Sequence, residues 1–277
     1  MNKIIVTGAN GQLGYDVVEF LDKKGYNVVG LKREDLDLTD LQNITKVMIC
    51  LKPDAIIHCA AYTAVDKAED EIELCEMINY KATEKIIDVC RNLDIPIIYI
   101  STDYVFDGQK DSEYLETDIT NPINIYGKTK LMGEQIVQTY KRHFIVRISW
   151  VFGQNGNNFV DSMIKLSKNN KVLNIIDDQV GSPTYTKDLT PLLADMLESD
   201  KYGIYHVTNE GFCSWYEFAK EIFKIKNIDI ELNPIKTSEY KTKAKRPLNS
   251  KLSKDKLSEN GFNNLRSWKD ALIDYLM

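Results

Sequence analysis

The sequence has no apolar run long enough for a membrane-spanning helix, which needs about 20 apolar residues. Its longest apolar runs, such as Ile95 to Ile100, have the length of a strand. The chain also lacks an opening basic and then apolar segment of the kind that marks a secretory signal, because a glycine-rich stretch starts at Gly8. We therefore expect a protein that makes no contact with a membrane.

Cysteine and histidine are scarce, with five cysteines and three histidines in 277 residues. The cysteine count is odd and no two cysteines have the CxxC spacing, which argues against a disulfide framework and against a zinc site. Free thiols are typical of a reducing compartment, so we expect the cytoplasm. The histidines, at positions 58, 143 and 206, lie in separate apolar strand contexts, and we expect no metal site.

Positive charge is in deficit, with 35 lysines and arginines against 41 aspartates and glutamates and a net charge of -6. An acidic chain repels phosphate backbones, so we expect no nucleic-acid partner. The remaining composition, 43% hydrophobic and 27% charged, is that of a globular protein. A chain of 277 residues fits one large domain, or a domain with a smaller companion.

Short β-branched runs alternate with amphipathic segments through the first half of the chain. Lys3 to Thr7 is typical of a buried strand, and Gln12 to Lys24 carries its apolar residues at helical spacing. Parallel strands need crossover connections, so this alternation predicts an α/β fold with a Rossmann-type doubly wound parallel sheet.

The alternation weakens after Trp150, where loop residues and short strands mix with helices. We predict a smaller, partly interleaved C-terminal lobe that binds substrate. The dinucleotide-binding domain would cover 1–150, with 184–203 returning to it. The substrate lobe would cover 151–183 and 204–277.

A glycine-rich turn joins the first predicted strand to the first predicted helix, with glycine at positions 8, 11 and 14. Glycine lets the backbone turn sharply and approach a dinucleotide pyrophosphate, while the helix N-terminus offers free N–H groups and a positive dipole end. The turn predicts a dinucleotide site. A tight structural turn with the same pattern is the alternative.

Two basic residues, Lys32 and Arg33, follow the second predicted strand, where an acid would bind the ribose of NAD. Basic side chains there are suited to the 2′-phosphate of NADP. Solvated surface charges are the alternative, and Asp37 is placed to meet the adenine edge. The pair favours NADPH as the cofactor and leaves NADH open.

Tyr126 and Lys130 are spaced i, i+4 in a predicted helix, so their side chains share one face. A tyrosine with its ordinary pKa of about 10 is a poor acid–base group at neutral pH, and a neighbouring ammonium is expected to lower that pKa. Thr102 ends the fourth predicted strand, at the edge where parallel sheets bind ligands. Together they predict a catalytic site, although Thr102 would also satisfy its own turn.

These motifs resemble those of the extended short-chain dehydrogenase/reductases that act on sugar nucleotides. Several further short sequence motifs resemble those of one branch of that superfamily, the dTDP-4-dehydrorhamnose reductases. The resemblance runs from residue 8 to residue 250 and covers nearly the whole chain. Besides the glycine turn and the tyrosine–lysine pair, the motifs are His58 to Glu69, Ser101 to Gly108, Arg147 to Gly153, Asp178 to Thr184 and Arg246 to Ser250.

The resemblance implies reduction of dTDP-4-dehydro-L-rhamnose to dTDP-L-rhamnose, with Tyr126 as proton donor, Lys130 tuning it, and Thr102 holding the C4 oxygen. Thr102, Asp103 and Trp150 would face the sugar. Arg246 is a candidate for the diphosphate, or a surface arginine. With the residues singled out above, the predicted cofactor contacts are Gly8, Asn10, Gly11, Gln12, Leu13, Lys32, Arg33, Asp37, Leu38, Ala60, Ala61, Tyr62, Thr63, Tyr126 and Lys130.

Several alternatives stay open. Asp16, Asp188 and Asp274 lie at places where some members of the family bridge a dimer through magnesium, but solvated surface acids explain them and we name no metal. The chain would be a monomer or a homodimer. Rival functions are another sugar-nucleotide 4-ketoreductase, an epimerase or a dehydratase, and a non-catalytic regulatory subunit with this fold.

Overall fold

The computed structural model describes residues 3–277. Six parallel strands form the central sheet in the order β2-β1-β3-β4-β5-β10. These strands are β1 (Lys3–Thr7), β2 (Asn27–Leu31), β3 (Ala55–His58), β4 (Ile97–Thr102), β5 (His143–Ile148) and β10 (Gly203–His206).

Helices cover both faces of the sheet. In chain order they are α1 (Gln12–Lys23), α2 (Leu41–Leu51), α3 (Val65–Ala68), α4 (Ile72–Glu76), α5 (Ala82–Leu93), α6 (Ile125–Gln138), α7 (Phe159–Ser167), α8 (Thr186–Leu197), α9 (Trp215–Ile225), α10 (Asp255–Glu259) and α11 (Trp268–Leu276). None of them, in the part of the chain that the structure describes, is long and apolar enough to cross a membrane.

Alternating side chains of each central strand build two cores. In β1, Ile4 and Val6 join the core that also contains α1 and α8, whereas Ile5 joins the core beneath α2 and α5. Successive side chains of a strand point to opposite faces, so a strand buried on both sides is a continuous apolar run. The prediction of a doubly wound parallel sheet is confirmed.

A π-helical turn at Met77–Lys81 lies between α4 and α5, so that the two helices run on from one another with an irregular turn in between. Asn79 lies in this turn and is buried. Its side-chain amide accepts from the backbone N–H of Tyr62 and donates to the backbone carbonyl of the same residue. Such turns occur frequently at functional sites, and this one adjoins a loop that lines the cavity described below.

The second half adds small sheets and a third apolar core. Strands β7 (Val172–Ile176) and β12 (Glu231–Ile235) pair in parallel, and β6 (Val151–Phe152) pairs with β9 (Thr184–Tyr185). Strand β8 (Val180–Gly181) lies between β11 (Cys213–Ser214) and β13 (Asn249–Ser250). The division into domains stays a prediction, and β10, at the start of the second lobe segment, is a strand of the central sheet.

Candidate active site

One cavity of about 950 Å³ lies at the carboxyl ends of the central strands. Every residue predicted to bind the cofactor or to take part in the reaction lines it, as do Asp103 and Trp150 of the predicted sugar contacts. Arg246 is the exception among the predicted site residues. The cavity forms there because the strands are parallel, so that the loops after them converge on one edge.

The glycine turn is close-packed. Gly8 has φ +69°, a backbone conformation that favours glycine, and a Cβ on it would come 2.8 Å from the backbone nitrogen of Ala60. A Cβ on Gly14 would come 2.2 Å from the Gly8 carbonyl oxygen. Gly11 caps α1 without a side chain, and the first turn of α1 has no acid. The N–H groups at the start of α1 therefore have neither a side-chain cap nor a competing acid in the first turn.

A loop at 153–158 packs over this turn, a contact that the sequence analysis missed. The amide of Asn155 donates to the Asn10 carbonyl at 2.7 Å, and the amide of Gln12 donates to the Asn157 carbonyl at 3.2 Å. The two segments are 145 residues apart. Glycine and asparagine in the loop predicted only a loop, since nothing in local spacing indicates its distant partner.

Lys32 and Arg33 are exposed at the cavity edge where β2 ends. Lys32 has one distant carboxylate neighbour, Glu34 at 4.0 Å. Asp37 accepts from the Thr39 amide and hydroxyl at 2.9 and 2.8 Å, and these bonds, the amide first, lower its pKa. The arrangement leaves two cations facing the space at the end of the second strand.

Tyr126 and Thr102 both line the cavity, and their side chains are close enough to share a hydrogen bond. The ring of Tyr126 meets that of Tyr104 edge to face, with 5.6 Å between centroids. Burial raises the pKa of Tyr126, and the Thr102 hydroxyl opposes this shift. The prediction of a lowered pKa for Tyr126 is therefore wrong, because loss of water disfavours the phenolate.

Lys130 is 2% exposed, and its ammonium donates to the Ile100 carbonyl at 2.7 Å. It also lies over the ring of Tyr99, 3.9 Å from the centroid. Burial lowers the pKa of Lys130 to about 7, while the carboxylate of Glu134 acts in the opposite direction. The lysine that accompanies Tyr126 is thus poised near neutrality between charged and neutral forms.

Thr102 and Asp103 form a small buried network. The Thr102 hydroxyl donates to Asp103 Oδ1 at 3.0 Å and accepts the Tyr104 amide at 3.2 Å. Ser250 donates to Asp103 Oδ2 at 2.5 Å. Burial raises the pKa of Asp103 to about 6 despite these bonds. Ser250 was not predicted as a site residue, although it is the last residue of the motif Arg246 to Ser250.

Aromatic side chains form part of the cavity wall. Trp150 stacks on Trp215 with 3.6 Å between ring centroids and 13° between planes, and Phe159 lies 4.6 Å from Trp215. Trp150 has φ +49°, an unusual backbone conformation for a bulky residue. The sequence motifs indicated Trp150 but neither Trp215 nor Phe159, because an aromatic residue at the start of an amphipathic helix ordinarily belongs to the core.

Arg246 makes a two-bond ion pair with Asp66 instead of facing the cavity, at 3.2 and 2.6 Å. Asp66 also accepts the amides of Lys243 and Ala244 at 3.1 and 3.0 Å. Arg246 reaches the site indirectly, through the Tyr104 hydroxyl, which lines the cavity. In this conformation its charge is balanced by Asp66.

The three acids considered for magnesium have protein partners. Asp16 is buried against Thr186, and burial raises its pKa. Asp188 and Asp274 share Arg266, at 2.8 and 3.1 Å. Within residues 3–277, no group of three or more His, Cys, Asp or Glu side chains is arranged to hold a metal ion.

A family model described as RmlD substrate binding domain matches residues 1–277. The dTDP-4-dehydrorhamnose reductase of Aggregatibacter actinomycetemcomitans is 38% identical over 287 residues, covering 98% of this chain and 97% of that protein. The chain belongs to the dTDP-4-dehydrorhamnose reductase family. The family assigned from the sequence motifs is thereby confirmed.

Two further relatives of this family member have names that mention a cofactor or a substrate. A crystal structure of dTDP-4-dehydrorhamnose reductase from Bacillus anthracis str. Ames in complex with NADP is 40% identical, with a TM-score of 0.96 and 99% of each chain covered. A dTDP-4-keto-6-deoxy-D-glucose reductase of Streptomyces niveus is 34% identical over 271 residues, covering 97% of this chain and 94% of that protein.

The dinucleotide end of the cavity fits NADP by its own chemistry. The uncapped first turn of α1 suits a pyrophosphate, and glycine at positions 8 and 14 avoids a Cβ where the backbone packs most closely. Lys32 and Arg33 would hold the 2′-phosphate, because they are exposed cations at the end of β2.

Proposed function

We propose that this chain reduces the C4 ketone of dTDP-4-dehydro-L-rhamnose to give dTDP-L-rhamnose, with NADPH as reductant and NADH as a weaker substitute. The observation that carries the proposal is one cavity that unites Thr102, Tyr126 and Lys130 with the glycine turn. The 38% identity to a named reductase over nearly the whole chain supports the same substrate class. A binding subunit without catalysis would have no need of this set of residues.

The bound cofactor supplies a hydride to C4 of the sugar. Tyr126 donates its proton to the C4 oxygen, since burial keeps the phenol protonated at neutral pH. Thr102 bonds the same oxygen when its hydroxyl turns from Asp103 to the substrate. Lys130, in its charged form, binds the cofactor ribose and stabilises the phenolate that remains on Tyr126.

A dehydratase of the same superfamily needs a base that removes a proton from carbon. By the family resemblance, a glutamate follows the Thr-Asp pair in those enzymes, and this chain has Tyr104 there. Burial raises the pKa of Tyr104, so its hydroxyl is neutral and no base. Of the two carboxylates in the motif Ser101 to Gly108, Asp103 is the one that adjoins Thr102 and lines the cavity, and it is engaged by Ser250.

We predict that the protein consumes NADPH in a one-to-one ratio with dTDP-4-dehydro-L-rhamnose and leaves dTDP-glucose unchanged. The reason is that the site supplies a proton donor and no carbon base. The measurement is NADPH absorbance together with product chromatography. Formation of a 4-keto-6-deoxy sugar from dTDP-glucose, with no net cofactor use, would refute the reductase assignment.

A second candidate substrate is the 4-keto-6-deoxy-D-glucose nucleotide, because a Streptomyces niveus protein of that name is 34% identical to this chain. The sugar ring of this nucleotide has a different configuration from that of dTDP-4-dehydro-L-rhamnose, whereas the reaction, reduction of the C4 ketone, is the same. A competition assay with both 4-keto sugars, scored by kcat/KM, distinguishes the two. We expect the L-rhamnose precursor to be preferred.

We predict that changing both Lys32 and Arg33 to alanine raises the KM for NADPH by roughly 5- to 150-fold, which corresponds to about 1–3 kcal/mol for charge-assisted bonds. The KM for NADH should hardly change, because NADH lacks the 2′-phosphate. The matched control is the exposed pair Lys23 and Lys24, at the opposite end of α1, changed to alanine. Equal loss with both cofactors would instead make Lys32 and Arg33 surface charges.

Location, assembly and division of the chain are also part of the proposal. The five cysteines are free thiols, which supports a reducing cytoplasm. We propose a monomer or homodimer without bridging magnesium, since Arg266 neutralises Asp188 and Asp274. We propose 1–150 with 184–203 as the cofactor domain, supported by Leu189 and Leu193 of α8 in the core beneath β1, and β10 carries this return to the central sheet on to His206.

A further inference from the structure

A buried ion pair joins helix α6, which carries Tyr126 and Lys130, to strand β5. Neither of its two residues lines the cavity. Arg147 donates to Glu134 through Nε at 2.9 Å and through Nη2 at 2.7 Å, and the side chains are 2% and 0% exposed. Arg147 also approaches His206 Nε2 at 3.3 Å and the Phe106 ring at 5.0 Å. Desolvation makes such a pair a weak source of stability, so its presence calls for another reason.

Glu134 follows Lys130 by one helical turn on α6, at the spacing that brings side chains onto one face. Lys130 extends over the Tyr99 ring to the Ile100 carbonyl. The carboxylate of Glu134 acts on both of these neighbours, since it raises the pKa of Lys130 and of Tyr99. The ion pair and the catalytic lysine therefore share one buried electrostatic environment.

The other titratable groups around Lys130 are neutral near pH 7. Burial lowers the pKa of His58 to about 3 and raises that of Cys59 to about 12. Burial also raises the pKa values of the remaining three, Cys75, Tyr99 and Tyr126. Among residues 3–277, Glu134 is thus the carboxylate that acts on Lys130, and two bonds from the Arg147 guanidinium hold it.

We propose that Glu134, held in place by Arg147, is a positioning residue that keeps Lys130 in its charged ammonium form. The charged form is what a ribose hydroxyl and the Tyr126 phenolate require of Lys130, so this role rests on the proposed function. Arg147, on strand β5, orients the carboxylate on α6 through two bonds. Without Glu134, loss of water would leave Lys130 largely neutral.

The test is a titration of Lys130 in the free protein, which needs neither cofactor nor substrate. Lysine labelled with ¹³C at the ε carbon gives the signal, and Lys130→Met assigns it. We expect a midpoint near 7 in the unaltered protein. In Glu134→Gln the midpoint should fall by about one unit or more, because an opposite charge has been removed.

Two variants make the test specific. Glu116 is a second carboxylate beside Arg147 that accepts the His206 amide at 3.1 Å, and Glu116→Gln should leave the Lys130 midpoint unchanged. Glu134→Asp keeps the charge, so it should lower the Lys130 midpoint less than Glu134→Gln does. An unchanged midpoint in Glu134→Gln, or an equal fall in Glu116→Gln, would overturn the proposal.

Should Glu134→Gln fail to fold, the double variant Glu134→Gln, Arg147→Gln replaces the pair with a neutral hydrogen-bonded one. Its Lys130 midpoint should fall in the same direction but less, and no fall would overturn the proposal. The affinity for NADPH supplies the functional arm: in Glu134→Gln it should weaken more at roughly pH 8 than at pH 6. Absence of reductase activity with a normal titration would refute the proposed function alone.

Discussion

Replacing Tyr126 with phenylalanine should lower kcat by roughly 100- to 10,000-fold, the range that a general acid contributes. The variant loses the phenolic proton and keeps the ring that packs edge to face on Tyr104. Folding and the KM for NADPH should therefore change little. The measurement is steady-state NADPH oxidation with the 4-keto sugar, beside a urea unfolding curve for each protein.

The matched control is Tyr114→Phe. Tyr114 is a buried tyrosine outside the cavity, and its hydroxyl donates to Asp107 at 2.8 Å. Its loss should cost about 1 kcal/mol of stability and leave kcat unchanged. Near-normal turnover in Tyr126→Phe would mean that another group protonates the C4 oxygen, and an equal loss in both variants would point to a general disturbance of the fold.

The central sheet was predictable because its signal is local. Each strand is a short apolar run, and each crossover helix repeats its apolar residues within one segment, so neither needs knowledge of distant contacts. The glycine turn was predictable for the same reason, since Gly8, Gly11 and Gly14 act on one another within seven residues. These local patterns are sufficient to place the edge at which ligands bind.

The parts that the sequence did not indicate depend on segments far apart in the chain. Arg246 and Asp66 are 180 residues apart, and their ion pair turns a candidate diphosphate ligand away from the cavity. Trp215 meets Trp150 only because α9 folds back on the loop after β5. Spacing along a helix also said that Tyr126 and Lys130 share a face, but not that both lose water, which sets the direction of each pKa shift.

The replacement Lys130→Met should make the protein more stable near neutral pH while lowering turnover by roughly 100-fold or more. Burial lowers the pKa of Lys130 from 10.5 to about 7, which corresponds to roughly 3–5 kcal/mol of destabilisation when the group is charged. Loss of its 2.7 Å hydrogen bond to the Ile100 carbonyl offsets about 1–2 kcal/mol of this gain. We expect a net rise of about 2 kcal/mol in the free energy of unfolding below pH 7.

The pH dependence follows from the direction of the shift. Below pH 7 both folded and unfolded chains carry the proton on Lys130, and the destabilisation is complete. Between about 7 and 10.5 the unfolded chain binds more protons than the folded one, so the unaltered protein gains stability as the pH rises and the advantage of Lys130→Met disappears. Urea midpoints across this range measure the difference, with the exposed Lys128→Met as control on the same helix. A Lys130→Met protein that is less stable near neutral pH, or whose difference from the unaltered protein does not change with pH, would show that the buried ammonium is not strained by the loss of water.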